Sequence, residues 1–462
     1  MAADEPLAPE PATAVTRQGG SEAETNGGAG DLGAAIVSRN GAAAPVAETA
    51  ARRGAAGPNP IRQLLGLRDF RLYWGAQFLA ALIGGISRFA FIWMALEISD
   101  LAAAPALLGL AVGLPGLLIS LPAGAVSDRV DRRWLVIWVS LAGAAVLAAT
   151  ALLIEAGLIN LPLAMLTGFG VGAAVAVVTP ALQAMVPQLV PRERLMNAVG
   201  LQNMGQSVAQ IGGAVIGGGS ISAFGLGPSF GIWVFVMLGA AALMWFVNLP
   251  AYERAERAEG NPITSIVTDI GAGLRYAFGR DPLRSLIIVG LFMGSGIGAY
   301  SILMPDIAKN ELGQTAFATG LLFATLSIGM MATSLFLASR ERVERRGLMF
   351  LAAFMCFGPG LFLIGLSNAY LLTAAIMIVW GGCGGVLMTS QRTLLQEHTE
   401  PQMMGRVMAL FALTFNGLLP LSALYVAAMR TQFGPGDTLA IMGTVMFLGA
   451  ALIASRSALR RM

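Results

Sequence analysis

The chain runs to 462 residues, of which 56% are hydrophobic and only 12% charged, and its formal net charge is +3. That composition, with a strongly positive mean hydropathy, excludes a soluble globular domain of this length and points to a protein embedded in lipid. The small positive balance reflects topology and attraction to anionic headgroups, so it lends no support to a nucleic-acid partner.

The first 60 residues are rich in Ala, Gly, Pro and Glu. They hold no apolar run long enough to insert and no basic start followed by a hydrophobic core. We therefore expect residues 1–60 to be a disordered cytoplasmic tail without a secretory signal. Beyond it, apolar stretches of 18 residues or more recur, and a hydrocarbon layer of about 30 Å needs roughly 20 residues of helix to cross. Twelve spans are expected, over about 70–96, 105–126, 134–155, 159–184, 197–220, 228–249, 284–305, 316–338, 347–366, 369–390, 406–429 and 438–455.

The first span follows Arg68-Asp69 and opens with Phe70-Arg71-Leu72-Tyr73-Trp74-Gly75-Ala76-Gln77. Farther in, after Gly84-Gly85, comes Arg88, the one charge well inside a span. A buried guanidinium is costly unless it meets a partner or a wet cavity. Two roles stay open for Arg88: an anchor for an anionic or carbonyl-rich substrate, or a structural partner of helix carbonyls or Glu97. Gln77, Gln202, Asn203, Gln206 and Tyr300 are further polar candidates for a substrate site, and each serves equally as interhelical glue.

Between the second and third spans lies Gly124-Ala125-Val126-Ser127-Asp128-Arg129-Val130-Asp131-Arg132-Arg133. Gly124 permits close helix contact where the second span exits. Asp128 is placed to accept hydrogen bonds from the exposed N–H groups that begin another helix. Arg129, Arg132 and Arg133 can pair with carboxylates or phosphates. Ion pairs of this kind, made in one global state and broken in another, form a switch and not a substrate site. The bland alternative is a set of cations that merely anchors the loop on the cytoplasmic face. The fifth span carries Gln210-Ile211-Gly212-Gly213-Ala214-Val215-Ile216-Gly217-Gly218, small residues that let helix backbones approach. After the sixth span, alternating charges over 252–259 and the apolar positions Ile266, Ile270, Leu274 and Phe278 give a solvated segment, then a helix lying along the headgroups.

The second half repeats the first at a shift of about 210 residues. Arg280-Asp281 answers Arg68-Asp69, and Glu341-Arg342-Val343-Glu344-Arg345-Arg346 answers the Asp128 loop, with Leu337 where Gly124 would map. Thr389 through Pro401 answers Thr179 through Pro191. The eleventh span adds Asn416-Gly417-Leu418-Leu419-Pro420, a proline able to kink it. Cys356 and Cys383 fall within spans and read as small apolar packing residues. Apart from Lys309 and Arg430 in outer loops and Arg88 in a span, the 29 Lys and Arg sit where cytoplasmic loops are expected. Both termini are thus assigned to the cytoplasm.

Catalysis finds no support. A phosphate-binding loop needs Gly-Lys-Ser/Thr, whereas Lys309 is followed by Asn310, and one histidine, His398, cannot build a zinc-protease helix. We expect no cofactor, no metal and no enzyme. Carboxylates near a pathway can carry coupling protons, but none lies mid-span. Asp306 and Glu97, at the outer ends of helices, are the coupling candidates, with Asp306 preferred.

The Gly124, Asp128-Arg129, Arg132-Arg133 pattern resembles the loop signature of the major facilitator superfamily. The stretches Phe70–Gln77, Pro115–Arg129, Pro187-Gln188-Leu189-Val190-Pro191 and Gly405-Arg406-Val407-Met408-Ala409-Leu410 are similar to its siderophore-exporter and macrolide-efflux subgroup. The resemblance implies an all-α membrane protein of twelve helices in two six-helix pseudo-symmetric halves, with the substrate site between them near the midplane. It divides the chain into 61–250, a linker at 251–283, 284–455 and a tail at 456–462. It implies that Asp128 docks near Arg406, and by pseudo-symmetry that Glu341 approaches Arg194. Gly213 stands where the superfamily's exporters carry a proline. The function implied is proton-coupled efflux of a small amphipathic molecule, a drug or siderophore, by a monomer in the bacterial inner membrane. A lipid or lysolipid flippase, an importer, and a non-transporting receptor or scaffold stay open as alternatives. The partners expected are the small-molecule substrate, the bilayer and protons.

Overall fold

The computed structural model describes residues 60–119, 130–249, 271–338 and 346–456. Among these every regular element is helical. The main helices are α1 (Arg68–Ile98), α2 (Ala104–Leu118), α3 (Arg132–Glu155), α4 (Leu161–Gln183), α5 (Leu195–Phe224), α6 (Leu226–Trp245), α7 (Asp281–Asp306), α8 (Ala316–Ala338), α9 (Arg346–Gly365), α10 (Tyr370–Glu397), α11 (Met404–Asn416), α12 (Leu418–Arg430) and α13 (Pro435–Arg456). Among the described residues ten helices are long and apolar enough to cross a membrane, and Ala104–Leu118 and Met404–Thr414 are shorter apolar helices. The expected tail 1–60, all but its last residue, lies outside the described residues. So do Gly124, Asp128, Arg129, Glu341, Arg342 and Arg345, and of Arg346 only the backbone is described.

Local sequence explains the helix ends. Asp131 caps α3 by accepting from the Arg133 N–H at 2.9 Å, so the first carboxylate before this helix in the described chain is Asp131. Asn160 caps α4 by accepting from the Leu163 N–H at 3.0 Å. Gly225, at φ 83, makes the sharp joint between α5 and α6 that few side chains tolerate. The expected eleventh span is broken between Asn416 and Leu418. Pro420 has no N–H to give the Asn416 carbonyl four residues earlier, which places the break one turn before it. Of the expected linker helix, Ile266 and Ile270 lie outside the described residues; residues 271–278 are helical, with Leu274 and Phe278 exposed.

Pairing between helices repeats. In the first half α1 packs on α5, α2 on α4 and α3 on α6; in the second α7 packs on α11 and α12, α8 on α10 and α9 on α13. The two halves meet through α5 with α8 and α2 with α12, pairs related by the same repeat. Large apolar side chains such as Leu152, Phe235, Leu371 and Val379 are exposed on the outer surface, as lipid as solvent requires.

The residues of the opening motif are interhelical pins. Tyr73 donates its hydroxyl to the Leu182 carbonyl at 2.8 Å, Trp74 its indole N–H to Leu201 at 3.2 Å, and Gln77 its amide to the Gln202 carbonyl at 3.2 Å. Together they fasten α1 to α4 and α5. Arg132 donates to the Ala184 carbonyl at 3.0 Å and Arg133 to the Trp245 carbonyl. These cations sit at the C-terminal, electronegative ends of α4 and α6, where the helix dipole favours them. They brace the first half at its cationic end.

Candidate functional site

A cavity of about 440 Å³ lies among α1, α2, α4, α5 and α12. Arg88 projects into it, with Ser87, Thr179, Gln183, Gln206 and Gln210 as its polar lining and Pro420 from the second half. Space for it comes from small residues: Ala81, Gly84, Gly109, Gly113, Gly116 and Gly172 all line it. At Gly172 a Cβ would sit 2.2 Å from the Val112 carbonyl oxygen, so glycine is what allows α4 to lie against α2.

Arg88 is deep in the fold yet its side chain is exposed to the cavity. Among the described residues it makes no hydrogen bond and no ion pair. Glu97, a partner the sequence allowed, instead accepts the Trp93 indole N–H at 2.6 Å. Ser87 is 3% exposed and its hydroxyl has no partner. The arrangement is a fixed cation and neutral polar groups facing a partly apolar cavity.

The other candidates divide. Gln206 joins Arg88 on the cavity wall. Gln77 and Gln202 border a hole of about 20 Å³ beside it, with Gln77 Oε1 and Gln202 Nε2 unpartnered. Asn203 is exposed on α5. Tyr300 is buried between Phe323 and Trp380, at ring distances of 5.3 and 4.9 Å, away from the cavity lining. Asp306 is 1% exposed and receives Arg430 Nε at 3.0 Å and Nη2 at 2.9 Å, with Asn310 on its other oxygen at 2.7 Å. Arg406 is exposed at the start of α11, its backbone against Gly273. His398 is half-buried, with Nδ1 2.9 Å from the Leu394 carbonyl. Sequence reasoning missed Ser87, Thr179, Gln183 and Gln210. Helical spacing was the available signal: Ala81, Gly84 and Arg88 share one face of α1, and Gln206 and Gln210 one face of α5.

The cavity is closed on the side away from the cationic loops. There Lys309 donates to the Leu96 carbonyl at 2.7 Å and lies 5.6 Å from the Trp93 ring, joining the halves. The Phe317 N–H donates to Ser222 at 2.9 Å, and Phe89 meets Phe323 edge-on at 6.0 Å. A Cβ on Gly218 would lie 2.2 Å from the Ala316 carbonyl oxygen, and one on Gly320 2.5 Å from that of Ala214. Toward the cationic end the seam parts. Ser207 and Met196, on the Gly218 face of α5 about three and six turns earlier, are exposed, as is Met331 on the Gly320 face of α8.

Two bundles of repeated helix pairing, joined at one end around a polar cavity, define a membrane transporter of the major facilitator type. Residues 59–462 match the model of one family within that superfamily, described as transmembrane secretion effector, and the chain belongs to it. This is a family of transporters and not of enzymes. The chain is 23% identical over 382 residues to macrolide efflux protein A of Streptococcus pyogenes, covering 82% of this chain and 93% of that one. It is 25% identical over 354 residues to the enterobactin exporter EntS of Shigella boydii, covering 74% and 80%. Among solved structures it is similar to the nucleoside transporter NupG, with TM-score 0.66, 13% identity, and 84% and 99% of the two chains covered. A bacterial homologue of the human lysosomal transporter Spinster, solved inward-facing and unoccupied, gives TM-score 0.59 at 15% identity, covering 85% and 96%.

Proposed function

We propose that the chain is a secondary active exporter that takes a small amphipathic molecule, drug-like or siderophore-like, from the Arg88 cavity and releases it on the opposite face by alternating access. The supporting observation is the cavity itself: Arg88 and neutral polar side chains on an otherwise apolar wall, in a chain whose halves meet at one end through α5–α8 and Lys309–Leu96 contacts and whose α5 and α8 faces are exposed toward the other. With the cationic loops and both termini cytoplasmic, this is the inward-open state, and twelve crossings result when α2 and the α11–α12 pair each span. Export also accords with the activities for which the macrolide and enterobactin relatives are named. A monomer in the bacterial inner membrane suffices, because the cavity is bounded within one chain.

The loop clamps would close the cationic end in the other half of the cycle, with Asp128 meeting the start of α11 near Arg406 and Glu341 approaching Arg194. Protons are the proposed drive, with Asp306 as carrier in preference to Glu97. Its partner Arg430 ends α12, the helix that packs on α2 across the halves, so neutralising Asp306 would loosen a helix engaged in the closed end. Reconstituted into proteoliposomes with an imposed proton gradient, the protein should move a lipophilic dye or siderophore against its concentration gradient. Flux without a gradient requirement would refute the coupling, and the absence of flux for a broad panel would refute the transport reading. Proton flux in Asp306→Asn equal to wild type would remove Asp306 as carrier.

A further inference from the structure

We infer that the cavity selects molecules carrying an acidic group, a carboxylate, phosphate or ionised phenol, on a compact apolar body, and rejects cations. This rests on the reading of the cavity as the substrate's site. Guanidinium does not deprotonate in proteins, so Arg88 cannot escape its charge by titration. The usual ways of stabilising such a charge inside a membrane protein are a carboxylate partner or helix carbonyls. Among the described residues Arg88 has neither, and no Asp or Glu lines the cavity. The walls are otherwise neutral, and low-dielectric walls concentrate the field of a single charge in the space it faces.

A second observation points the same way. The Ser87 hydroxyl, adjacent to Arg88 and 3% exposed, has no acceptor and lines the same cavity. A buried donor left unpaired is normally satisfied by something absent from the chain. The amide groups of Gln206 and Gln210 supply further donors on the facing helix. An anionic head beside Arg88 would take these hydrogen bonds, while Ala81, Gly84, Val112 and Val175 offer apolar surface to its body.

The test reads cavity charge directly. Gly116 lines the cavity and a Cβ there meets nothing within 4 Å, so Gly116→Cys is sterically free. With Cys356→Ser and Cys383→Ser in the full chain, the new thiol is treated with an anionic sulfonatoethyl or a cationic trimethylammonioethyl methanethiosulfonate. Each rate is divided by that of the same reagent with a free thiol in solution. The anionic reagent should be favoured about tenfold, and adding Arg88→Gln should bring the ratio close to one, whereas Arg88→Lys keeps it. A ratio at or below one, or one that survives Arg88→Gln, overturns the inference. If Arg88→Gln does not fold, whether the ratio exceeds one, and whether Arg88→Lys retains it, still decide.

A binding arm uses the fluorescence of dansylglycine, dansylamide and dansylcadaverine, which share one body and differ in charge. Dansylglycine should bind at least tenfold more tightly than the other two and protect Gly116→Cys from modification. Equal binding overturns the selectivity, and equal protection by inorganic phosphate at the same concentration overturns the amphiphilic body. A protein that exports solute yet shows no charge preference refutes this inference alone. One that shows the preference yet moves no solute refutes the transport reading alone.

Discussion

Substituting Gly218 should open the sealed end of the molecule. In the structure α5 and α8 touch backbone to backbone there, and a Cβ on Gly218 would lie 2.2 Å from the Ala316 carbonyl oxygen. A carbon–oxygen contact normally needs roughly 3.3 Å, so the helices must part by about 1 Å. Overpacking of that size costs about 1–3 kcal/mol, and it falls only on the state in which this seam is closed. Since about 1.4 kcal/mol is a factor of ten, Gly218→Ala should shift the conformational equilibrium toward far-end opening by roughly tenfold to a hundredfold. Gly320→Ala, with 2.5 Å to the Ala214 carbonyl oxygen, should act in the same direction. Gly219→Ala is the control, because its Cβ would meet the Phe317 ring at 3.4 Å, an ordinary contact. Nitroxide labels at Phe224 and Leu371, exposed ends of α5 and α10, report the gap by double electron–electron resonance. A longer-distance population should grow in Gly218→Ala and Gly320→Ala but not in Gly219→Ala. Identical distributions in all three would refute the argument that this seam holds the closed end.

Three further outcomes are expected. Arg430→Met should lower stability in detergent by about 3–5 kcal/mol, because it strands the buried Asp306 carboxylate, and Asp306→Asn should cost less, because Arg430 is partly exposed and keeps the Phe433 carbonyl. The double variant should be less damaged than either single one. Lys309→Met removes a charged hydrogen bond to the Leu96 carbonyl worth about 1.5–3 kcal/mol, and the same label pair should show the gap widening. Gly225→Ala forces a side chain to φ 83 and should cost about 1–2 kcal/mol, read as a lowered melting temperature.

The sequence by itself determined the helices, their order and their repeat. A hydrocarbon slab asks for apolar helices of fixed length whatever packs beside them, so runs such as 134–155 and 369–390 show as α3 and α10 without reference to neighbours. Distribution of arginines marked one end as cationic, and Arg88 stood out as a charge that needed a destination. Pro420 even located a break, since the effect of a proline is felt within its own turn.

What the helices do to one another was decided by the tertiary structure. Gln77, Gln202 and Gln206 look alike along the chain, but rotation of α1 against α5 turned the first two into a pin and the third into cavity wall. Tyr300 was drawn into an aromatic cluster with Trp380, and Asp306 found Arg430 more than a hundred residues away. Arg88 was left with no partner among the described residues, and Glu97, on the opposite face of α1, pairs with the Trp93 indole. Period and hydropathy fix a helix within its own few turns, whereas the orientation of a side chain in a bundle follows from close packing with segments remote in sequence, such as Gly218 on Ala316.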